Sequence, residues 1–171
     1  MNLKDKIRVI EDFPRPGISF KDISTLLNDS EALKEALDQM CAAVPDGTNV
    51  IVGPEARGFI FGSAMAYNLD ARLVLARKPG KLPFDTVQRS YDLEYGTNTI
   101  EMHRDSISKG DKVVITDDLI ATGGTLAATV ELVEQLGGDV VAIIALIELT
   151  ELKGRDLLGD HNVKSLIQYP C

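Results

Sequence analysis

The sequence predicts an α/β fold: a central, mostly parallel sheet flanked by helices. Three observations carry this. Short β-branched runs at residues 49–53, 73–77, 112–116, 140–149 and 163–168 are too uniformly apolar for a sheet with one wet face. Segments with apolar residues at helical spacing separate most of them. One run, Val113-Val114-Ile115-Thr116, enters Asp117-Asp118 and then a glycine turn, Ala121-Thr122-Gly123-Gly124-Thr125, before a helical pattern. Strand, turn and helix in that order mark the carboxyl edge of a parallel sheet, where ligands bind.

The elements follow in order. Residues 3–12 have the apolar spacing of a short amphipathic helix, ended by Phe13-Pro14-Arg15-Pro16-Gly17, which cannot be helical. Residues 20–27 read as extended or turn. Ser30 is an N-cap candidate for a helix to about Val44, with Leu33, Leu37, Met40, Cys41 and Val44 on one face. A buried strand at 49–53, a helix at 58–68 and a strand at 73–77 come next. Residues 78–104 break the rhythm with Pro79, Gly80 and Pro83, then offer two antiparallel strands, 86–95 and 97–103, about Gly96. The strand at 112–116 leads to a helix at 125–136. A strand at 140–149, a short helix at 151–158 and a last strand at 163–168 close the chain. No repeat or linker divides it, so one domain, 1–171, is expected.

The 171 residues are 44% hydrophobic, enough for a real core. No apolar run reaches membrane-spanning length, and residues 1–10 lack the basic-then-apolar order of a signal peptide. Cys41 and Cys171 have no metal-ligand or disulfide spacing, and His103 and His161 form no metal motif. These features lead to a cytoplasmic expectation with no membrane partner. A net charge of −8 argues against a nucleic-acid surface. Locally the balance reverses: between residues 72 and 89, Arg72, Arg77, Lys78, Lys81 and Arg89 face Asp85 alone. Such a patch focuses an anion whatever the total charge.

The chemistry-bearing segment is 117–125. Its glycines allow a tight turn with N–H groups pointing inward, and the following helix adds the positive end of its dipole. Thr122 and Thr125 add hydroxyl donors. Asp117 and Asp118, next to this phosphate-sized cradle, can accept from sugar hydroxyls or hold a hydrated cation. A phosphate beside a diol is a ribose 5-phosphate. A Walker loop is absent: Gly53-Pro54-Glu55-Ala56-Arg57-Gly58 is followed by Phe59, not lysine, and no Gly-x-Gly-x-x-Gly occurs. A plain buried strand with a capped helix would explain the apolar run but not two consecutive acids.

Together these residues resemble the type I phosphoribosyltransferases, and within them the adenine-using members. The marks are residues 117–125, Ala56-Arg57-Gly58-Phe59, Arg77-Lys78-Pro79-Gly80-Lys81-Leu82-Pro83 and Leu93-Glu94-Tyr95-Gly96. Residues 12–18, Glu148-Leu149-Thr150 and Lys153-Gly154-Arg155 add to them. The resemblance implies the type I phosphoribosyltransferase fold, with a small hood from roughly residues 1–30 and a flexible catalytic loop within 78–104. It implies that adenine and 5-phosphoribosyl 1-pyrophosphate give AMP and pyrophosphate in purine salvage, with Mg2+ and a homodimer. Asp117, Asp118, Ala121, Thr122, Gly123, Gly124 and Thr125 would hold the 5-phosphate and ribose. Ala56, Arg57, Gly58, Arg77, Lys78 and Lys81 would hold the pyrophosphate, with Arg57, Lys81 and Glu94 catalytic. Glu94 would relay a proton near the purine N7 or N9, and Tyr95 would assist the loop. Ile18, Ser19, Phe20, Lys21 and Phe59 would meet adenine, the phenylalanines by stacking. No metal ligand is assigned directly, since the substrate would hold most of the magnesium. Ile120 stands where the family often has leucine. Pro79 stands where a small or basic residue is common, which bears on loop stiffness. A transferase for another base, or a non-catalytic sensor of the activated sugar, are the alternatives.

Overall fold

In the computed structural model, residues 1–93 and 95–171 are described. Five parallel strands form the central sheet in the order β4-β3-β7-β8-β9. They are β3 (Val50–Pro54), β4 (Arg72–Ala76), β7 (Lys112–Ile120), β8 (Asp139–Leu149) and β9 (Val163–Tyr169). The five strand positions expected from the apolar runs are all occupied, because continuous apolar runs suit strands covered on both faces.

Side-chain alternation builds two cores. Val50, Val52, Val113 and Ile115 point to one face, where they meet α4 (Gly124–Gln135) and a hairpin of β5 (Thr86–Asp92) and β6 (Thr97–His103). Ile51 and Val114 point to the other, against α2 (Ser30–Ala42) and α3 (Arg57–Leu69). There Met40, Phe61 and Met65 are fully buried. Each such large apolar side chain contributes about 1.5–3 kcal/mol when removed from water.

Four readings change. Residues 3–12 are not a helix. A single 3-10 turn, Leu3–Lys6, gives way to β1 (Arg8–Glu11), which pairs antiparallel with β2 (Ser19–Asp22). The pairing is closed by Arg8 opposite Asp22, whose carboxyl the Ser24 hydroxyl and amide, then Arg8, pull down to about 2. One helical turn, α1 (Ser24–Leu27), follows. Asp29, not Ser30, caps α2, accepting from the Glu31 and Ala32 amides. β7 runs four residues further than expected, so both aspartates lie inside the strand, with Asp117 in register with Ala145. The late helix is split: a 3-10 turn at Thr150–Leu152, then α5 (Gly154–Leu158).

Both cysteines are free thiols. Cys41 lies half-buried on α2, where burial raises its pKa. Among the described residues no helix is long and apolar enough to cross a membrane.

Candidate active site

The turn after β7 is built from main chain. Gly123 adopts φ +88°, and a Cβ there would lie 2.6 Å from the Gly154 carbonyl oxygen. A Cβ on Gly154 would lie 2.7 Å from the Ala121 oxygen, and one on Gly124 would lie 2.8 Å from the Tyr91 ring. No side chain fits at any of the three. The first amides of a helix have no intrahelical partner, so those opening α4 face this turn as donors. A cleft of about 160 Å³ lies over it, lined by residues 121–125 with Asp117, Tyr91 and Asn98.

Asp117 and Asp118 differ sharply. Asp118 is 7% exposed and accepts from Arg57 Nε at 2.6 Å. Asp117 lines the cleft, and its Oδ1 accepts the Asp118 amide at 2.8 Å. Burial, and then the adjacent Asp118 carboxylate, push the Asp117 carboxyl well above the usual range. Asp117 therefore gives up its proton less readily than an ordinary aspartate. The two acids are not an equivalent pair.

Arg57 opens α3 behind the cis Glu55–Ala56 peptide, and Gly58 packs against Asp117: a Cβ there would sit 3.1 Å from Oδ1. The Arg57 guanidinium also lies 6.0 Å above the Phe20 ring, which takes Phe13 edge-on at 5.2 Å. So the structure brings Ala56, Arg57, Gly58, Asp117, Asp118 and Phe20 to one end of the sheet. Ile18 is exposed beside Phe20 on the β1–β2 hairpin. Lys21 bends away, donating to the Ser19 Oγ at 2.6 Å and lying 4.9 Å over the Tyr169 ring.

The basic patch divides. Arg77 lies 5.6 Å above Phe59, so that ring already carries a cation. Its Nε is buried without a hydrogen-bond partner, 3.6 Å from Glu55 Oε1. Lys78 and Lys81 are exposed on the loop beyond β4. Glu55 accepts the Lys78 amide at 2.5 Å, and buried Glu101 accepts the Gly80 amide at 3.1 Å. Arg72 and Arg89 belong elsewhere. Arg72 pairs with Asp111 at the opposite edge of the sheet, and Arg89 pairs with Glu131 on α4. Linear charge density had grouped five cations, and three remain near the site.

Tyr95 is 88% exposed at the hairpin turn. The expectation for Glu94 lies outside the described residues. Sequence reasoning passed over Tyr91, whose hydroxyl is 2.6 Å from Thr125 Oγ1. Its alternation with Arg89 along one strand face was the available signal. It also gave no role to Glu148, which is 4% exposed and holds Arg155 in a two-pronged pair beside Gly154. The Arg155 hydrogen bonds hold that carboxyl below its usual range.

Comparison with known proteins shows the family. Residues 22–169 match the model of the phosphoribosyl transferase domain. The chain is 56% identical to an adenine phosphoribosyltransferase of Clostridium novyi over 170 residues, 99% of both chains. It superposes on the adenine phosphoribosyltransferase of Thermoanaerobacter pseudethanolicus with a TM-score of 0.94 at 48% identity, covering 98% of each chain. The Saccharomyces cerevisiae enzyme, complexed with adenine and an imino-altritol bisphosphate, gives 0.86 at 37% identity, covering 96% of each. The chain belongs to the phosphoribosyltransferase family and, within it, to the adenine phosphoribosyltransferases.

Proposed function

We propose that the protein transfers the 5-phosphoribosyl group from 5-phosphoribosyl 1-pyrophosphate to adenine, giving AMP and pyrophosphate in purine salvage. The bond from the anomeric carbon to the pyrophosphate oxygen breaks, and a bond to adenine N9 forms from the other face. The observation that carries this reading is the tight turn at 121–125, whose Gly123 and Gly124 leave no room for a Cβ, with Asp117 on its rim.

In this reading the amides of residues 121–125 hold the 5-phosphate, helped by the Thr122 and Thr125 hydroxyls. Asp117 and Asp118 address the ribose hydroxyls and balance the positive charge developing on the ring. Ala56, Arg57 and Gly58 receive the pyrophosphate, and arginine's planar fork suits its oxygens. Arg77, stacked over Phe59 and 3.6 Å from Glu55, adds positive charge beside it. Lys78 and Lys81 close over the leaving group and exclude water that would hydrolyse the activated sugar. Adenine lies against the β1–β2 hairpin, with Phe20 as the stacking surface and main chain at Ile18, Ser19 and Lys21 reading its edge; Phe59 acts mainly through Arg77. Glu94 moves the proton at the purine, and Tyr95 supports the loop.

The donor set fits Mg2+, which usually takes one or two carboxylates together with substrate phosphates and water. Asp117, with Asp118 behind it, would hold the ion alongside the substrate's own oxygens, and a cation there would favour the charged form of Asp117. When bound, magnesium supplies Lewis-acid stabilisation of the departing pyrophosphate. We place the protein in the cytoplasm as a homodimer, acting on small molecules rather than on nucleic acid or membrane.

The test is a panel assay. Purified protein is given 5-phosphoribosyl 1-pyrophosphate, Mg2+ and, separately, adenine, hypoxanthine, guanine, xanthine and orotate. AMP formation from adenine at a rate far above the other bases is expected. Turnover of another base in preference to adenine would overturn the base assignment. Sugar binding without turnover of any base would point to a sensor.

A further inference from the structure

We propose that Tyr91 is a positioning residue for the sugar phosphate, orienting the Thr125 hydroxyl proton into the cradle. The inference rests on the reading of residues 121–125 as the 5-phosphate site. The two hydroxyls are 2.6 Å apart, and geometry alone allows either to be the donor. The ligand decides. A phosphate dianion only accepts, so Thr125 must donate to it with its single proton. The Thr125 oxygen then accepts from Tyr91. The chain runs Tyr91 O–H to Thr125 O–H to phosphate oxygen, and each bond polarises the next.

The surroundings favour this direction. Thr125 lines the cleft, and its hydroxyl has Tyr91 as its partner within the protein. The Tyr91 ring packs over Gly124, at a distance no Cβ would allow, and this fixes the phenol's direction. Tyr91 and Arg89 lie on one face of β5, and Arg89 Nε reaches Glu131 Oε2 at 2.8 Å further along α4. Two ties therefore seat the hairpin along this helix. Across the hairpin, Tyr91 is in register with Asn98, which also lines the cleft. The Leu93 amide closes the turn onto the Gly96 carbonyl at 2.9 Å.

The experiment uses Tyr91→Phe, which keeps the ring over Gly124 and removes only the hydroxyl. Ribose 5-phosphate affinity by calorimetry and the separate KM values for 5-phosphoribosyl 1-pyrophosphate and adenine are measured for wild type, Y91F, T125V and the double variant. Y91F should weaken ribose 5-phosphate about three- to tenfold, the range of one lost hydrogen bond. The KM of the activated sugar should rise in step, with the adenine KM unchanged and Tm lowered by no more than the few degrees that one lost hydrogen bond accounts for. In the T125V background, Y91F should add nothing, since it acts through Thr125. A loss smaller than threefold, an equal rise in the adenine KM, or full additivity with T125V would overturn the proposal. If T125V itself leaves ribose 5-phosphate binding unchanged, the phosphate does not sit on this turn and the underlying reading fails instead.

Discussion

Arg155→Ala should destabilise the protein by an amount that depends on pH in a defined direction. Glu148 accepts three hydrogen bonds: Arg155 Nε at 2.8 Å, Arg155 Nη2 at 2.9 Å and Ser165 Oγ at 2.7 Å. Truncating Arg155 removes two of them and leaves a carboxylate that is 4% exposed. Breaking a buried pair costs roughly 3–5 kcal/mol. Here the Arg155 side chain is 46% exposed, so water enters the vacated space, and Ser165 still serves Oε1. The loss should fall lower, at about 2–3 kcal/mol. For a chain of this length that is about 5–10 °C in Tm. The sign with pH follows from the depressed carboxyl. A group held below its unfolded value contributes fully above that value, about 4.3 for glutamate, and loses the contribution as pH falls through the folded one. Urea denaturation of wild type and R155A at pH 7 and at successively lower pH checks this. The gap should be widest at pH 7 and shrink in acid. A gap under about 1 kcal/mol at pH 7, or one that persists undiminished in acid, would refute the reasoning.

Two further substitutions test the turn. Asp117→Asn mimics the protonated acid and keeps an oxygen for the Asp118 amide. The folded pKa is raised, so wild-type stability falls as pH climbs from the unfolded value of about 3.9 towards the folded one. D117N should melt higher than wild type at pH 7, match it near pH 4, and bind the activated sugar more weakly; a lower Tm at pH 7 would show a structural carboxylate. Gly123→Ala forces a left-handed residue, costing about 1–2 kcal/mol by itself, and drives a Cβ into the Gly154 oxygen. Gly80→Ala, at φ +82° with nothing within 4 Å of its Cβ, is the matched control for strain without contact. Thermal melts should rank G123A clearly below G80A, and equal melts would show that the packing yields.

The parts legible in sequence were those fixed by local chemistry. The strand through Val113–Ile115, the glycine turn and the apolar stripe of α4 are contiguous, and their periods and turn residues name them. Residues 3–12 were misread because Leu3, Ile7 and Ile10 have helical spacing, whereas Arg8–Glu11 is decided by pairing with a strand eleven residues away. The charges of residues 72–89 were over-read for a related reason. Whether an arginine serves a site depends on partners such as Asp111 and Glu131, which lie far along the chain. Asp117 and Asp118 were seen as equals because composition cannot tell a carboxyl that meets arginine from one that meets burial. Tyr91 carried only a strand's ordinary aromatic signal, and its meaning arises from the hairpin lying on α4.

Gly123 and Gly154, which interlock beside Ala121, and Gly124 under the Tyr91 ring leave the backbone of the turn with little heritable freedom. At these three positions a Cβ would collide with a neighbour, so codon changes there can break the grip but hardly adjust it, and adjustment is left to the threonine hydroxyls and their partners. Divergence towards new substrates would then run through the outlying hairpins, whose exposed residues such as Ile18 and Tyr95 can vary, while the anchor stays the same.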